Sequence, residues 1–327
     1  MDSTTILPKP WIREQALLGD ASSRRYARLW DRHDRTALLT FYPKSVRGQM
    51  SRDLEVRAWC SAHGLRVPFL LDHDLREGWA ILEDFGPDDA ECALVNAPPS
   101  VRRELGFQFI APLVTLAGFQ PTNLPAWNPP LDRARLRWEL AGFELWFCRH
   151  QLEVTPSPSV GYWLDELARA IGEHPQRVCH RDYHLNNLFL LADGSVGLID
   201  YQDILVGPDS YDAASLLGER GMPRALEKTE RIQILESWAA DTDAETGWLN
   251  RWRLVSVQRG LKVLGTFARL AADGTKAYEI WAEEMVRRIA PELASLEAPS
   301  ELVDLLLDLS RRRHPASSDS DHGAAPT

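Results

Sequence analysis

Short apolar runs separated by polar turns fill the first 85 residues, and their length is typical of strands. The runs span residues 15–18, 26–30, 36–41, 67–71 and 79–82, with a polar turn at 72–78. Between the third and fourth runs, residues 51–63 place Leu54, Ala58 and Trp59 on one helical face, and Gly64 follows as a helix stop. The pattern predicts a small, strand-rich lobe with one main helix.

Helical periodicity dominates from residue 100 onward, with two interruptions. The first is a proline-rich stretch at 121–130, which predicts a loop. The second is a pair of apolar runs, 188–192 and 195–199, on either side of Asp193-Gly194, a dipeptide that signals a hairpin in such a context. The chain is therefore predicted to be an α+β protein with a small N-lobe, a larger and mostly helical C-lobe, and a disordered tail. The predicted boundaries are 1–84, 85–310 and 311–327.

Composition narrows the classes of function. The chain has 327 residues, of which 44% are hydrophobic, and this is enough to fill a core in each lobe. Its net charge of −10 provides no basic surface for nucleic acid or for an anionic membrane. The longest apolar stretch, residues 107–119, is too short to cross a bilayer, and residues 1–11 lack a signal-peptide pattern. We expect a cytoplasmic, monomeric enzyme whose partners are small molecules.

Cysteine usage agrees with a reducing compartment. The four cysteines are widely spaced and form no C-x-x-C pair, so we expect reduced, mostly buried thiols and no structural zinc. They are Cys60, Cys92, Cys148 and Cys179.

The strongest chemical signal is the spacing H-x-D-x-x-x-x-N at His180, Asp182 and Asn187. Kinase-like phosphotransferases use this spacing as a catalytic loop, in which the aspartate orients the attacking hydroxyl and the asparagine holds a metal ion. The predicted hairpin then returns the chain to Asp200, so that two oxygen ligands of the kind Mg²⁺ prefers converge. The alternative is a buried histidine, a hairpin with solvated acids and a chance spacing. The combination of loop, hairpin and Asp200 favours a kinase.

Together these motifs resemble the aminoglycoside phosphotransferase and choline kinase superfamily, which has a protein-kinase-like fold. Within it, the chain resembles the kinases that phosphorylate N-acetylmuramate and N-acetylglucosamine at C1 with ATP during cell-wall recycling. The resemblance extends over residues 12–310, and it implies Asp182 as the catalytic base and Asn187 and Asp200 as ligands of Mg²⁺. Three further segments carry it, residues 19–26, 200–217 and 258–270.

The resemblance also implies an ATP site formed by the loop 19–26 and by the hinge between the lobes. In the loop, backbone amides and serine hydroxyls would cradle the phosphates while arginine adds positive charge. At the hinge, backbone groups and apolar side chains would hold adenine. The residues assigned to the nucleotide are Gly19, Ser22, Ser23, Arg24, Arg25, Glu55, Glu83 and Phe85.

One position departs from the protein-kinase pattern. Protein kinases place a lysine on the third strand, where it holds the α- and β-phosphates and pairs with a glutamate on the next helix. Here the third strand has Thr40 near that position and contains no lysine. Glu55 stands at the helix position without its usual partner. Arg24, Arg25 and Lys44 are all candidates for the missing cation.

Recognition of the acceptor is assigned to an aromatic-rich helix before the catalytic loop and to the segment after Asp200. Aromatic faces stack on sugar rings, although aromatic residues at helical spacing are more often core residues. Arg181, His184 and Asp212 are assigned to bracing the catalytic loop, Asp212 through backbone hydrogen bonds. Arg259 and Lys262 are either ligands of a sugar carboxylate or surface charges. The assigned acceptor residues are Asp182, Trp146, Glu144, Arg149, Gln202 and Asp203.

The resulting hypothesis is an ATP- and Mg²⁺-dependent kinase for the C1 hydroxyl of N-acetylmuramate or N-acetylglucosamine, whose product supplies UDP-sugar and peptidoglycan recycling. Two alternatives stay open. One is an aminoglycoside, choline-like or other sugar kinase of the same fold, because this scaffold supports many acceptors. The other is a catalytically silent nucleotide-binding module, suggested by the missing lysine and by a loop with a single glycine.

Overall fold

The structure is a computed structural model, and it describes residues 9–17, 23–219, 221–244, 246–274 and 278–312. The chain divides into two compact units. The first unit comprises Met1–Pro129 and Gln176–Ala244, and the second comprises Pro130–Pro175 and Glu245–Thr327. The lobe boundary at residue 84 stays a prediction. Of the predicted tail, only the first two residues are described, and they end the last helix.

Five antiparallel strands form a sheet in the first unit. They are β1 Trp11–Leu17, β2 Arg25–Asp31, β3 Thr36–Phe41, β4 Leu70–Asp74 and β5 Trp79–Glu83, in the spatial order β1-β2-β3-β5-β4. On one face, Leu29, Ala37 and Ile81 form a buried cluster. On the other face, Tyr42 and Ala80 pack against Met50 of the following helix. The sheet is therefore apolar on both faces.

Helices make up most of the remaining structure, which confirms the α+β class. In chain order they are α1 Met50–Ala62, α2 Ala90–Asn96, α3 Pro99–Ala117, α4 Arg133–Gly142, α5 Pro158–Gly172, α6 Tyr211–Gly218, α7 Met222–Ala225, α8 Lys228–Asp241, α9 Trp248–Ala272, α10 Tyr278–Ser295 and α11 Ser300–Arg312.

The predicted main helix and most of the predicted strands are confirmed, but one strand is misplaced. The sequence predicts a strand at 67–71 and a turn at 72–78, whereas β4 runs from Leu70 to Asp74. Pro68, in the segment before β4, is not part of the strand. It lacks an amide hydrogen, and its carbonyl accepts a hydrogen bond from the Arg57 side chain. The Asp74 side chain closes the turn after β4 by accepting hydrogen bonds from the backbone amides of Arg76 and Glu77.

Four short strands frame the region that carries the candidate chemistry. β7 and β8 form the predicted hairpin, with Leu188 opposite Leu198, while β6 pairs with β9. The turn of the hairpin is closed by the Leu191 amide, which donates to the Ser195 carbonyl, and Gly194 adopts a φ of +81° that favours glycine. The prediction from Asp193-Gly194 is therefore confirmed. The strand bounds are β6 Gln176–Cys179, β7 Leu188–Leu190, β8 Val196–Leu198 and β9 Leu205–Pro208.

Two further predictions concern the cysteines and the apolar stretches of the chain. All four cysteines are free thiols, and only Cys92 is exposed, so the prediction that most of them are buried is confirmed. Among the described residues, no helix is both long enough and apolar enough to span a membrane.

In the second unit, α9 lies against α4, against the π-helical segment Phe143–Gln151 that continues α4, and against α10. The contact between α9 and α4 is close at Gly265. A Cβ atom at this position would lie 2.5 Å from the backbone carbon of Gly142 and 2.5 Å from the backbone nitrogen of Phe143. Gly265 therefore allows two helical backbones to touch.

We expect Gly265→Ala to lower the free energy of unfolding by about 1–3 kcal/mol, because the neighbouring atoms are backbone and cannot rotate away. The matched control is Gly142→Ala, whose added Cβ would meet nothing within 4 Å. That change should be neutral or stabilising by about 0.5–1 kcal/mol. Urea denaturation of both variants measures the difference, and equal midpoints would contradict the close approach.

Candidate active site

The catalytic loop connects β6 to β7 in the first unit. Within it, the His184 amide donates to the Asp182 carbonyl at 3.1 Å, and the Asn187 amide donates to the His184 carbonyl at 2.9 Å. Asp182 is half-buried, whereas His180 and Tyr183, which are close to it in the sequence, are buried. The loop is thus a compact turn that holds Asp182 near the surface.

The carboxylate of Asp212, in the first turn of α6, fixes the start of this loop. It accepts the amide hydrogens of His180 at 2.6 Å and of Arg181 at 2.9 Å. Both amides reach the same carboxylate because Arg181 has a φ of +80°, and consecutive amides in such a conformation form a concavity that binds anions. The predicted anchoring role of Asp212 is confirmed.

Two further hydrogen bonds join the catalytic loop to the end of the hairpin. The buried His180 side chain donates from Nε2 to the Ile199 carbonyl at 3.0 Å, and the Ile199 amide donates to the Asn187 carbonyl at 3.0 Å. Asp200 follows Ile199 directly, with a left-handed φ of +61°. The predicted return of the chain from Asn187 to Asp200 is therefore confirmed.

The side chains of Asn187 and Asp200 fit a magnesium site. Asn187 donates from Nδ2 to the Asp182 carbonyl at 2.8 Å, which leaves its Oδ1 atom to act as a ligand. The Asp200 side chain is 40% exposed, and its Oδ1 atom accepts from Nε2 of Gln202 at 2.7 Å. Within the described part of the chain, no cluster of three or more His, Cys, Asp or Glu side chains could hold a metal ion. A small donor set completed by phosphate and water is the arrangement that Mg²⁺ favours.

Close to Asp200 lies an ion-pair cluster built from the sheet and α1. Arg24 Nη2 is 3.6 Å from Asp200 Oδ1, and Arg24 Nη1 donates to Asp53 Oδ2 at 3.3 Å. The Tyr42 hydroxyl donates to the same Asp53 oxygen at 3.1 Å, and Arg52 donates to the other oxygen at 3.4 Å. Burial raises the pKa of the Asp53 carboxyl, and the guanidinium groups of Arg24 and Arg52 oppose part of that rise.

The sequence predicts Glu55 as the acidic partner on this helix, but the structure places Asp53 there. Residues two positions apart on an α-helix differ in direction by about 200° around the helix axis, so Asp53 and Glu55 cannot face the same neighbour. Glu55 is exposed, and its Oε2 atom accepts from Trp127 Nε1 at 3.3 Å. A role for Glu55 at the nucleotide phosphates has no support from this geometry.

The other residues assigned to the phosphate loop are only partly described. Gly19 and Ser22 lie outside the described residues, and Ser23 is exposed. The guanidinium of Arg25 lies 4.9 Å from the centroid of the Phe41 ring. The role of this loop stays a prediction.

At the end of β5, the residues of the predicted hinge are held by hydrogen bonds and by a contact between aromatic rings. Both guanidinium Nη atoms of Arg66 donate to the Glu83 carboxylate, and the Phe69 amide donates to it at 3.1 Å. Partial burial favours a higher pKa for Glu83, but these hydrogen bonds outweigh burial and leave the pKa lowered. The Phe85 ring lies 5.7 Å from Phe189. The Glu83 carboxylate thus has a structural role, and an adenine site at the hinge stays a prediction.

Comparison with known proteins agrees with this geometry. Residues 14–249 match the family model described as the phosphotransferase enzyme family. The chain belongs to this family. It is 31% identical over 301 residues to the N-acetylmuramate/N-acetylglucosamine kinase of Pseudomonas aeruginosa, a match that covers 89% of this chain and 86% of the relative.

Solved structures of similar fold confirm the predicted protein-kinase-like architecture of this phosphotransferase. Choline kinase LicA from Streptococcus pneumoniae aligns with a TM-score of 0.59 at 13% identity, covering 88% of this chain and 94% of that chain. An aminoglycoside phosphotransferase from Streptomyces rimosus, solved with ADP and streptomycin, aligns with a TM-score of 0.52 at 16% identity, covering 75% and 94%. At these identities the likeness concerns the fold.

The residues assigned to the acceptor fall in both units of the phosphotransferase. Gln202 and Asp203 follow Asp200 in the first unit, where the Gln202 side chain is hydrogen-bonded to Asp200. Asp182 also lies in the first unit, whereas the remaining three lie in the π-helical segment of the second unit, and the contact of all six with an acceptor stays a prediction. Of these, Glu144 pairs with Arg137, Trp146 packs beside His150, and Arg149 is exposed.

Two basic residues of α9 had alternative roles, and the structure removes one alternative for each. Arg259 is buried, so it is not a surface charge. Lys262 is mostly buried, and its Nζ atom lies 3.4 Å from the buried carboxylate of Glu139, which also accepts from Gln258. Both residues therefore belong to the interior of the second unit.

Sequence reasoning missed several residues that shape the site of this phosphotransferase. Asp53 and Tyr42 form the ion-pair cluster, and Asn128 donates from Nδ2 to the carbonyls of Gln202 at 3.0 Å and Ile204 at 2.9 Å. The proline-rich loop that contains Asn128 thus clamps the segment after Asp200. Its W-N-P-P sequence predicted a loop and carried no signal for this contact.

Asp212→Asn should destabilise the protein and slow turnover, because asparagine offers one carbonyl oxygen where two amides need acceptors. We expect a loss of about 2 kcal/mol in the free energy of unfolding, the cost of leaving a buried donor without its partner. Urea denaturation and steady-state turnover measure both effects. Asp241→Asn, at an exposed position of α8, is the control. Wild-type stability and turnover in Asp212→Asn would contradict the anchoring role.

Proposed function

We propose that this protein is an ATP-dependent sugar kinase that phosphorylates the anomeric C1 hydroxyl of N-acetylmuramate, N-acetylglucosamine or both. The product would be a sugar 1-phosphate, the form that UDP-sugar synthesis and peptidoglycan recycling consume. A cytoplasmic, monomeric enzyme fits this role. The observation that carries the proposal is the 31% identity to the Pseudomonas aeruginosa kinase across 89% of the chain. A complete catalytic set in the first unit supports activity against the alternative of a silent module.

In the proposed mechanism, Asp182 accepts a hydrogen bond from the acceptor hydroxyl and takes its proton at a carboxylate oxygen as the hydroxyl oxygen bonds to the γ-phosphorus of ATP. The bond between that phosphorus and the β–γ bridging oxygen breaks, and ADP leaves with the electron pair. Asn187 and Asp200 would hold Mg²⁺, which would neutralise charge on the phosphate groups when bound. Asp212 and His180 keep Asp182 in place through the catalytic loop. Catalysis by these residues is therefore positioning and proton transfer, with no covalent intermediate on the protein.

Asp182→Asn should lower kcat by about 10²–10⁴-fold, because asparagine orients a hydroxyl but cannot accept its proton. ATP affinity should stay near that of the wild type, since Asp182 is assigned to the acceptor and not to the nucleotide. Coupled assay of ADP release gives kcat, and equilibrium binding gives the ATP affinity. Turnover close to that of the wild type, in folded protein, would show that another group is the base.

The acceptor can be identified with a panel assayed for ATP consumption in the presence of Mg²⁺. The panel contains N-acetylmuramate, N-acetylglucosamine, glucosamine, glucose, kanamycin and choline, and phosphorus NMR identifies the product. We expect turnover with the N-acetylated sugars and the signal of a sugar 1-phosphate. Turnover only with kanamycin or choline would retain the kinase chemistry and overturn the acceptor. Silence across the panel, in protein that binds ATP, would contradict the proposed acceptors.

A further inference from the structure

The third strand lacks the lysine that protein kinases use, and its geometry shows where a substitute cation can reach. Thr40 is buried, with 3% of its surface exposed, and it pairs with Tyr26 on β2. Side chains on a strand alternate between its faces, so a residue two positions before Tyr26 belongs to the same face. That residue is Arg24, whose guanidinium lies 5.9 Å from the centroid of the Tyr26 ring.

The same face of the sheet packs against α1, and this helix provides the acidic partner of Arg24. Tyr42 continues β3 on the face of Thr40 and packs against Met50 of α1. Asp53, one turn further along α1, is 4% exposed and accepts from both Arg24 and Tyr42. A buried carboxylate is stable only when it is paired and hydrogen-bonded, so Asp53 holds the guanidinium in a defined position.

The two terminal nitrogens of Arg24 point to different groups. Nη1 donates to Asp53, while Nη2 lies 3.6 Å from Oδ1 of Asp200, the metal-ligand aspartate of the proposed mechanism. α1 also lies against the turn Tyr201–Asp203 that follows Asp200. One guanidinium therefore links the buried acid of the helix to the position where nucleotide phosphates must approach the metal ion.

The other candidate groups have different surroundings. The Arg25 side chain is exposed, with its guanidinium over the Phe41 ring, and successive residues of β2 point to opposite faces. Lys44 is exposed after the end of β3. Glu55 is exposed on α1 and bonded to Trp127. Arg25 does not share the face of Arg24, Lys44 lies beyond the end of β3, and Glu55 does not share the direction of Asp53.

We propose that Arg24 replaces the third-strand lysine as the cation that holds the nucleotide phosphates, and that Asp53 and Tyr42 are the residues that position it. This inference rests on the proposed function in requiring ATP as the phosphoryl donor. A guanidinium suits the task because its planar fork can bind a carboxylate on one side and a phosphate group on the other. Arg24 would exchange its contact with Asp200 for a phosphate oxygen when Mg·ATP binds.

Equilibrium binding of adenosine, ADP and ATP in the presence of Mg²⁺ tests the proposal without turnover. Arg24→Met should weaken ADP and ATP binding by about 10–100-fold, the size of one charge-assisted hydrogen bond, and leave adenosine binding within about twofold. Arg24→Lys should recover part of the loss, since it restores the charge without the fork. The matched control Arg32→Met, at an exposed position of the turn after β2, and Glu55→Gln, on the exposed side of α1, should bind all three ligands like the wild type.

The positioning residues have their own variants. Asp53→Asn should weaken ATP binding by about 3–10-fold with adenosine binding retained, because the guanidinium loses its charged partner. Tyr42→Phe removes only the hydroxyl donor and serves as a milder variant if Asp53→Asn fails to fold. It should weaken ATP binding by about two- to threefold, the size of a modest loss of hydrogen bonding.

The outcomes separate this inference from the function on which it rests. A wild-type protein that binds neither ADP nor ATP would overturn both. A wild-type protein that binds ATP and phosphorylates sugars, alongside an Arg24→Met variant with unchanged ATP affinity, would overturn the inference alone. Equal weakening of adenosine and ATP by Arg24→Met would also overturn it, because Arg24 would then act on the fold and not on the phosphates.

Discussion

The geometry of the active centre depends on one buried carboxylate that satisfies two consecutive backbone amides. Asp212 holds the amides of His180 and Arg181, and this contact requires a left-handed backbone at Arg181 that costs roughly 1–3 kcal/mol. Once the loop is fixed there, His180 reaches the Ile199 carbonyl and Asn187 reaches the Asp182 carbonyl. Asp182, Asn187 and Asp200 are therefore placed by hydrogen bonds to main-chain atoms, which do not depend on side-chain packing at the surface.

Features set by neighbouring residues could be predicted from the sequence. The hairpin follows from Asp193-Gly194, and α1 follows from its apolar face and from Gly64, which adopts a φ of +81°. The convergence of Asn187 and Asp200 follows from a hairpin of the right length between them. Each signal lies within a few residues of the structure that it specifies, which is why the order of Asp182, Asn187 and Asp200 along the chain was enough to predict their relative placement.

Features set by the packing of distant segments could not be predicted. Asp53 and Glu55 are both acids on α1, and only the docking of the helix against the sheet decides which of them meets Arg24. The shift of β4 has a similar origin, because the Pro68 carbonyl accepts a hydrogen bond from the Arg57 side chain of α1. Acceptor residues are the extreme case, since a sugar pocket collects side chains whose spacing in the sequence carries no period.

Arg66 joins three parts of the first unit through different chemical groups. Its carbonyl accepts from the Leu198 amide of β8, its guanidinium binds Glu83 at the end of β5, and the face of that guanidinium lies 4.9 Å from the Phe85 ring centroid. Leu198 is two residues before Asp200, so local opening at the end of β5 and local opening around Asp200 would both strain the hydrogen bond between Leu198 and Arg66. We therefore expect the end of β5 and the segment around Asp200 to open together, so that order gained in one of these segments also stabilises the other.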